Sequence, residues 1–167
     1  MAGPDPAVLL RPPRPEDSGL ILALIRELAE YERLGSEVVA TEAGIRETLF
    51  GRDAVPRCIL AFVDDKPAGF ALFFRTYSTF LGRPGLYLED LFVRPAFRRR
   101  GIGRRLLARL AHVAREENCG RVEWAVLDWN ESAIGFYKSL GAIGMGEWTV
   151  YRVTGEALER LAAEGAG

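Results

Sequence analysis

Between a long apolar strand and an amphipathic helix stands Arg98-Arg99-Arg100-Gly101-Ile102-Gly103. Few local patterns restrict a chain more. A helix N-terminus leaves its first backbone N–H groups without intrahelical acceptors and carries partial positive charge. Glycines let an anion approach that backbone closely. Arginines add fork-shaped donors that match phosphate oxygens. The loop therefore reads as a cradle for a diphosphate. A solvated basic turn that simply starts a helix is the alternative. The segment is not a P-loop, because no Gly-Lys-Ser/Thr follows, and GxGxxG is absent.

Charge distribution agrees with this reading. From Arg94 to Arg109 lie seven arginines and no carboxylate. The remainder of the 167-residue chain holds 15 basic and 23 acidic residues, and the whole carries a net charge of −1. One segment suits an anion, and the rest mildly suits a cation. A nucleic-acid binder is disfavoured by that balance. No apolar run approaches the roughly 20 residues that span a bilayer, and the N-terminus lacks a basic region followed by an apolar stretch. Two cysteines, Cys58 and Cys119, make no disulfide framework or metal-ligand spacing. A cytoplasmic protein without metal, organised as one domain over residues 1–167, is expected.

Periodicity orders the elements. Ala7–Arg11 reads as a strand. Pro15-Glu16-Asp17-Ser18 opens a helix whose apolar residues Leu20, Ile21, Leu24, Ile25 and Leu28 carry it to about Leu34. Thr41 caps a second helix ending near Phe50. Two apolar runs, Cys58–Val63 and Ala68–Thr76, flank a turn at Asp64–Pro67 and predict a hairpin. Leu86–Val93 is a third strand. Gly101 opens a helix to about Asn118, with Leu106, Leu107, Leu110, Val113 and Ala114 as its buried stripe. Val122–Leu127 reads as a strand, Asn130 caps a helix stopping at Gly141, Trp148–Val153 reads as a last strand, and Thr154 starts a terminal helix. Short turns between the central strands predict an α+β fold, with a mixed, largely antiparallel sheet flanked by helices.

The pattern Arg-x-x-Gly-x-Gly after a strand ending Leu91-Phe92-Val93 resembles the acetyl-CoA loop of the GNAT acyl-CoA N-acyltransferases. Ile25–Glu32, Tyr87–Val93, Val126–Glu131 and Phe136–Ala142 extend the likeness, from about residue 8 to 153. They resemble the spermidine/spermine (diamine) and thialysine acetyltransferase branch. The resemblance implies that the backbone of Leu91, Phe92 and Val93 pairs with the pantetheine arm of acetyl-CoA. The loop Arg98, Arg99, Arg100, Gly101, Ile102, Gly103 and Arg104 would hold its diphosphate. Asn130, Ser132 and Ala133 would contact the cofactor from the next helix. The implied substrate is a small cationic amine (a diamine, a polyamine or a lysine-like amine), with Tyr31, Glu32, Glu89, Asp90 and Trp124 lining its pocket. The implied assembly is a homodimer.

Acetyl transfer needs a neutral amine, yet an alkyl amine with a pKa near 10.4 is less than roughly 0.1% neutral at pH 7. Glu89 is the candidate for the base. Placed in an apolar strand, its carboxylate is expected to be partly desolvated and more basic; a solvent-facing charge is the alternative. In a regular strand Asp90 points to the opposite face, and a bulge would change that. Tyr137, in the helix capped by Asn130, is the candidate acid, and the family places its proton donor at the matching tyrosine. A core tyrosine is the bland alternative. His112 is read as a helix residue, and Trp129 as a packing residue. Phe80 stands near where the family often has a Trp, as a possible pocket wall. Two other readings remain: an acetyltransferase for a different amine or a protein amino group, and a non-catalytic acyl-CoA sensor.

Overall fold

The computed structural model describes residues 7–165. They divide at Leu127/Asp128 into two compact units.

The first unit contains β1 (Val8–Arg11), α1 (Ser18–Tyr31), α2 (Glu42–Phe50), β2 (Arg57–Val63), β3 (Lys66–Ser78), β4 (Arg83–Val93), α3 (Ile102–Glu116) and β5 (Val122–Trp124). The strands form one sheet in the order β1-β2-β3-β4-β5. The first three pairings are antiparallel, and β4 with β5 is parallel. The predicted mixed, mostly antiparallel sheet is therefore present.

Local chemistry explains the punctuation. Asp64 and Asp65 both take left-handed φ, +48° and +61°, the geometry of a two-residue hairpin turn that matches strand twist. The turn is thus tighter than predicted, and Lys66 and Pro67 already pair with β2. Thr41 accepts from the Gly44 N–H at 3.1 Å and caps α2. α1 stops at Tyr31, short of Leu34, because Arg33 turns left-handed at φ +62°. The Leu34 N–H then closes back on the Ala29 carbonyl at 2.8 Å. Asn118 at φ +55° ends α3 in the same way, with the Cys119 N–H on the Ala114 carbonyl.

The core on the α1 side joins Ile21, Leu24 and Leu28 to Cys58, Leu60, Phe70 and Phe92. α3 buries Ile102, Leu106, Leu107, Leu110 and Ala114 and packs across β2, β3 and β4. Each fully buried Leu or Ile contributes roughly 1.5–3 kcal/mol. Gly69 allows β3 and β4 to close at the functional end, since a Cβ there would lie 2.3 Å from the Phe92 carbonyl oxygen.

The second unit contains α4 (Glu131–Ser139) and α5 (Gly155–Glu164). The strand expected at Trp148–Val153 does not form among the described residues. Its β-branched and aromatic composition is a local property, whereas a strand exists only where a neighbour completes its ladder. Val150 and Tyr151 stand 86% and 91% exposed.

Candidate functional site

Two features of β4 build one end of the first unit. The first is a bulge. Leu88 pairs with Phe73 and Asp90 with Leu72, so Glu89 is an extra residue without a partner on β3. Leu72 and Phe73 face opposite sides of the sheet, and so, therefore, do Asp90 and Leu88. Asp90 shares the α1-side face with Leu72, Phe70 and Phe92. Regular alternation would have set Asp90 on the face of Leu88.

The second feature is a ladder that stops. β5 pairs with β4 only at Leu86, Tyr87 and Leu88, opposite Val122, Glu123 and Trp124. The bulge follows at once, and the predicted strand to Leu127 ends at Trp124. From Asp90 to Val93, β4 is paired to β3 on one edge and has no strand on the other among the described residues. That edge offers backbone donors and acceptors to an extended group.

The loop after β4 is anchored before it turns. Arg94 holds Glu27 of α1 with both ends of its guanidinium, at 2.7 and 2.9 Å, and donates to the Pro67 carbonyl at 2.9 Å. Pro95–Phe97 forms a 3-10 turn. Arg99 and Gly101 then take left-handed φ, +62° and +72°. Gly101 occupies the N-cap position of α3 with no side chain capping it. The first intrahelical bond runs from the Arg105 N–H to the Gly101 carbonyl, so the N–H groups of Ile102, Gly103 and Arg104 precede the ladder. Arg99, Arg100 and Arg104 are exposed around them. Arg98 is engaged within the chain. Its Nε donates to the Val93 carbonyl at 2.9 Å, and its guanidinium lies over the rings of Tyr31, at 4.7 Å, and Phe92, at 5.8 Å.

Asp90 lies within the electrostatic reach of two further carboxylates. Burial pushes the Asp90 carboxyl up to about 6, and the neighbouring charges of Glu89 and Glu32 push in the same direction. Glu32 is half-buried, and burial raises its carboxyl as well. The expectation of a desolvated Glu89 is corrected: Glu89 is exposed and Asp90 is the half-buried partner. The bulge exchanges the roles that alternation had given them. Tyr87, which sequence reasoning passed over, lies half-buried near Glu89, and its phenol is raised by burial first, then by Glu89 and Glu123. Arg94 was also unforeseen as an anchor; its partner is 67 residues away.

In the second unit, Asn130 caps α4 as predicted, its Oδ1 accepting from the Ala133 N–H at 3.2 Å. Ser132 is exposed and Ala133 half-buried in the first turn. Tyr137 is half-buried, and its ring lies 5.5 Å from that of Phe136. Gly141, at φ +86°, ends the helix, and the Ala142 N–H closes on the Tyr137 carbonyl at 3.2 Å.

Other sequence candidates fall elsewhere. Phe80 sits in the turn before β4, 96% exposed. Glu89 lies six residue steps along β4 from Arg83, about 20 Å at strand rise. Phe80 therefore does not wall this end of β4. His112 pairs with Glu116 on the exposed side of α3, at 3.2 Å. Trp129 is 46% exposed rather than packed away. No cluster of metal-ligating side chains occurs among the described residues. None of their helices is long and apolar enough to cross a membrane.

An unpaired β4 edge running into an arginine- and glycine-bearing helix start suits a diphosphate that carries an extended, amide-bearing arm. The family model of the GNAT acetyltransferases matches residues 21–142, and the chain belongs to that family. It is an acetyl-CoA-dependent N-acetyltransferase. It is 39% identical to the thialysine N-epsilon-acetyltransferase of Bos taurus, over 94% of this chain and 98% of that one. It is 35% identical to an L-ornithine N5-acetyltransferase of Arabidopsis thaliana, over 88% and 84%. Among solved structures, an integron cassette protein from the mobile metagenome of V. cholerae superposes with a TM-score of 0.79 at 29% identity, covering 96% of this chain and 99% of that one.

Proposed function

We propose that the chain acetylates the primary amine of a small cationic substrate: a diamine, a polyamine or a lysine-like amino acid. One observation carries this reading. The β4 bulge turns Asp90 to the α1-side face, where the charges of Glu89 and Glu32 act on it. The names of the thialysine and ornithine acetyltransferases support it, since both acceptors carry a side-chain amine.

The donor set fits acetyl-CoA. The N–H groups at the start of α3, with Arg99, Arg100 and Arg104, suit a diphosphate, and the open edge of Leu91–Val93 suits an extended amide-bearing arm. The family resemblance adds Asn130, Ser132 and Ala133 as residues that would contact it. When bound, it supplies an acetyl thioester for attack by the amine.

The remaining chemistry belongs to the side chains. Ionised Asp90, Glu89 and Glu32 attract an ammonium, and Tyr31 and Trp124 frame its carbon chain. Near neutral pH, the Asp90 carboxylate or the more exposed Glu89 takes the amine proton, directly or through water. Tyr137 Oη holds the proton that the leaving sulfur needs; phenol and thiol acidities lie close enough for that transfer. No histidine is required. The family match runs across the division at Leu127/Asp128, which supports one catalytic domain. We assign the active species to a cytoplasmic homodimer that uses neither nucleic acid nor membrane.

The deciding experiment follows CoA release with putrescine, spermidine, thialysine, ornithine, an aminoglycoside and a histone-tail peptide. Turnover on thialysine, ornithine or a polyamine is expected. Turnover on the peptide alone would move the assignment to protein amino groups, and acetyl-CoA binding with no turnover would make the chain a sensor.

A further inference from the structure

A second concave site lies wholly within the first unit. It has a cavity volume of about 660 Å³, inside the range of small-molecule sites. It opens where β1 ends and β2 begins, between the end of α2 and the later half of α3. Arg57, at the start of β2, pairs with Phe73 of β3, which pairs with Leu88. The cavity thus lies two strands from β4 and level with its middle, five residues before Val93. Along α3, Arg109 stands eight residues beyond Gly101, about 12 Å of helix.

Its walls divide by chemistry. Leu10, Leu49, Phe50 and Val113, all partly exposed, supply apolar surface, with the buried Ile59 and Phe73 behind them. Three arginines stand in the lining: Arg11, Arg57 and Arg109. Two are already neutralised. Arg11 binds Asp17 with both nitrogens, at 2.7 and 3.0 Å, and stacks on Phe62. Arg57 grips Glu117 with both nitrogens and stacks on Phe73. Arg109 is exposed and carries no ion pair among the described residues. Asp17 and Glu117 are the only carboxylates tied to these arginines among the described residues, so the cavity keeps one uncompensated positive charge beside an apolar wall. Cys58 also lines it, but burial pushes that thiol up to about 12. It remains protonated and takes no covalent part.

We infer that this cavity binds a small amphipathic carboxylate, its head against Arg109 and its hydrocarbon part against Leu49, Phe50 and Val113. An amine-headed molecule of the same length meets like charge. A neutral one leaves Arg109 unmatched. The site is separate from the one that binds acetyl-CoA and the amine substrate, and does not depend on which amine is acetylated.

The test is calorimetric titration of decanoate into the full chain saturated with CoA, with decylamine as head-group control. One decanoate per chain is expected, with decylamine at least tenfold weaker. Arg109→Glu, at an exposed position outside the catalytic machinery, should weaken decanoate at least tenfold and leave turnover without decanoate unchanged. Val113→Trp, which fills the cavity, should abolish binding. No decanoate binding to the folded wild-type chain would overturn the inference. So would equal binding of decylamine, which would indicate an apolar groove only, or binding seen only when CoA is absent, which would place decanoate in the acyl-CoA site.

Discussion

The guanidinium of Arg98 lies 4.7 Å from the centre of the Tyr31 ring while its Nε holds the Val93 carbonyl. The contact ties the loop after β4 to the last residue of α1. A cation over an exposed ring contributes about 0.5–1 kcal/mol. Arg98 therefore positions the amine side of the site. Arg98→Ala should raise the amine KM about two- to fivefold and leave acetyl-CoA affinity essentially unchanged. Equilibrium titration of acetyl-CoA beside steady-state kinetics separates the effects. A tenfold loss of acetyl-CoA affinity would instead make Arg98 a diphosphate ligand.

Asp90 should impose a pH dependence. Its carboxyl sits near 6 in the fold and near 3.8 when unfolded. Between those values the folded chain binds more protons than the unfolded one, so this group's contribution to stability falls as pH rises from about 4 to 6. Asp90→Asn should remove that slope, with a higher Tm than wild type at pH 8 and little difference at pH 4. Thermal melts across this range check it. In the same variant the amine KM should rise at least tenfold at pH 8, because the anionic partner is gone. Amine binding in the wild-type enzyme should weaken below about pH 6.

Tyr137→Phe removes only the hydroxyl assigned to proton donation. Loss of a positioned general acid lowers rate by about 10²–10⁴. A kcat about a hundredfold lower, with acetyl-CoA affinity within threefold, is expected. Full kcat in the folded variant would return Tyr137 to a packing role.

Gly101 is held at φ +72°, with nothing within 4 Å of a Cβ placed there. The obstacle to a side chain is thus backbone conformation rather than space. Gly101→Ala should cost about 1–2 kcal/mol, seen as a Tm several degrees lower, and should weaken acetyl-CoA binding as the loop relaxes. An unchanged Tm and affinity would show that the left-handed turn is dispensable.

The sequence by itself determined the elements whose signals are local. Thr41 and Asn130 announce helix starts, because their side chains bond N–H groups three residues on. The Arg98–Gly103 loop is legible because the strand, the arginines, the glycines and the helix start are contiguous. Three other features were decided only by tertiary structure. Nothing around Glu89 marks a bulge; the extra residue arises because β4 must register with β3 on both sides of it. That register made Asp90, not Glu89, the half-buried carboxyl. Arg94 found Glu27 across 67 residues, a pairing with no local trace. Trp148–Val153 is rich in β-branched and aromatic residues like a strand yet has no ladder partner among the described residues, because composition favours extended backbone but supplies no neighbouring strand.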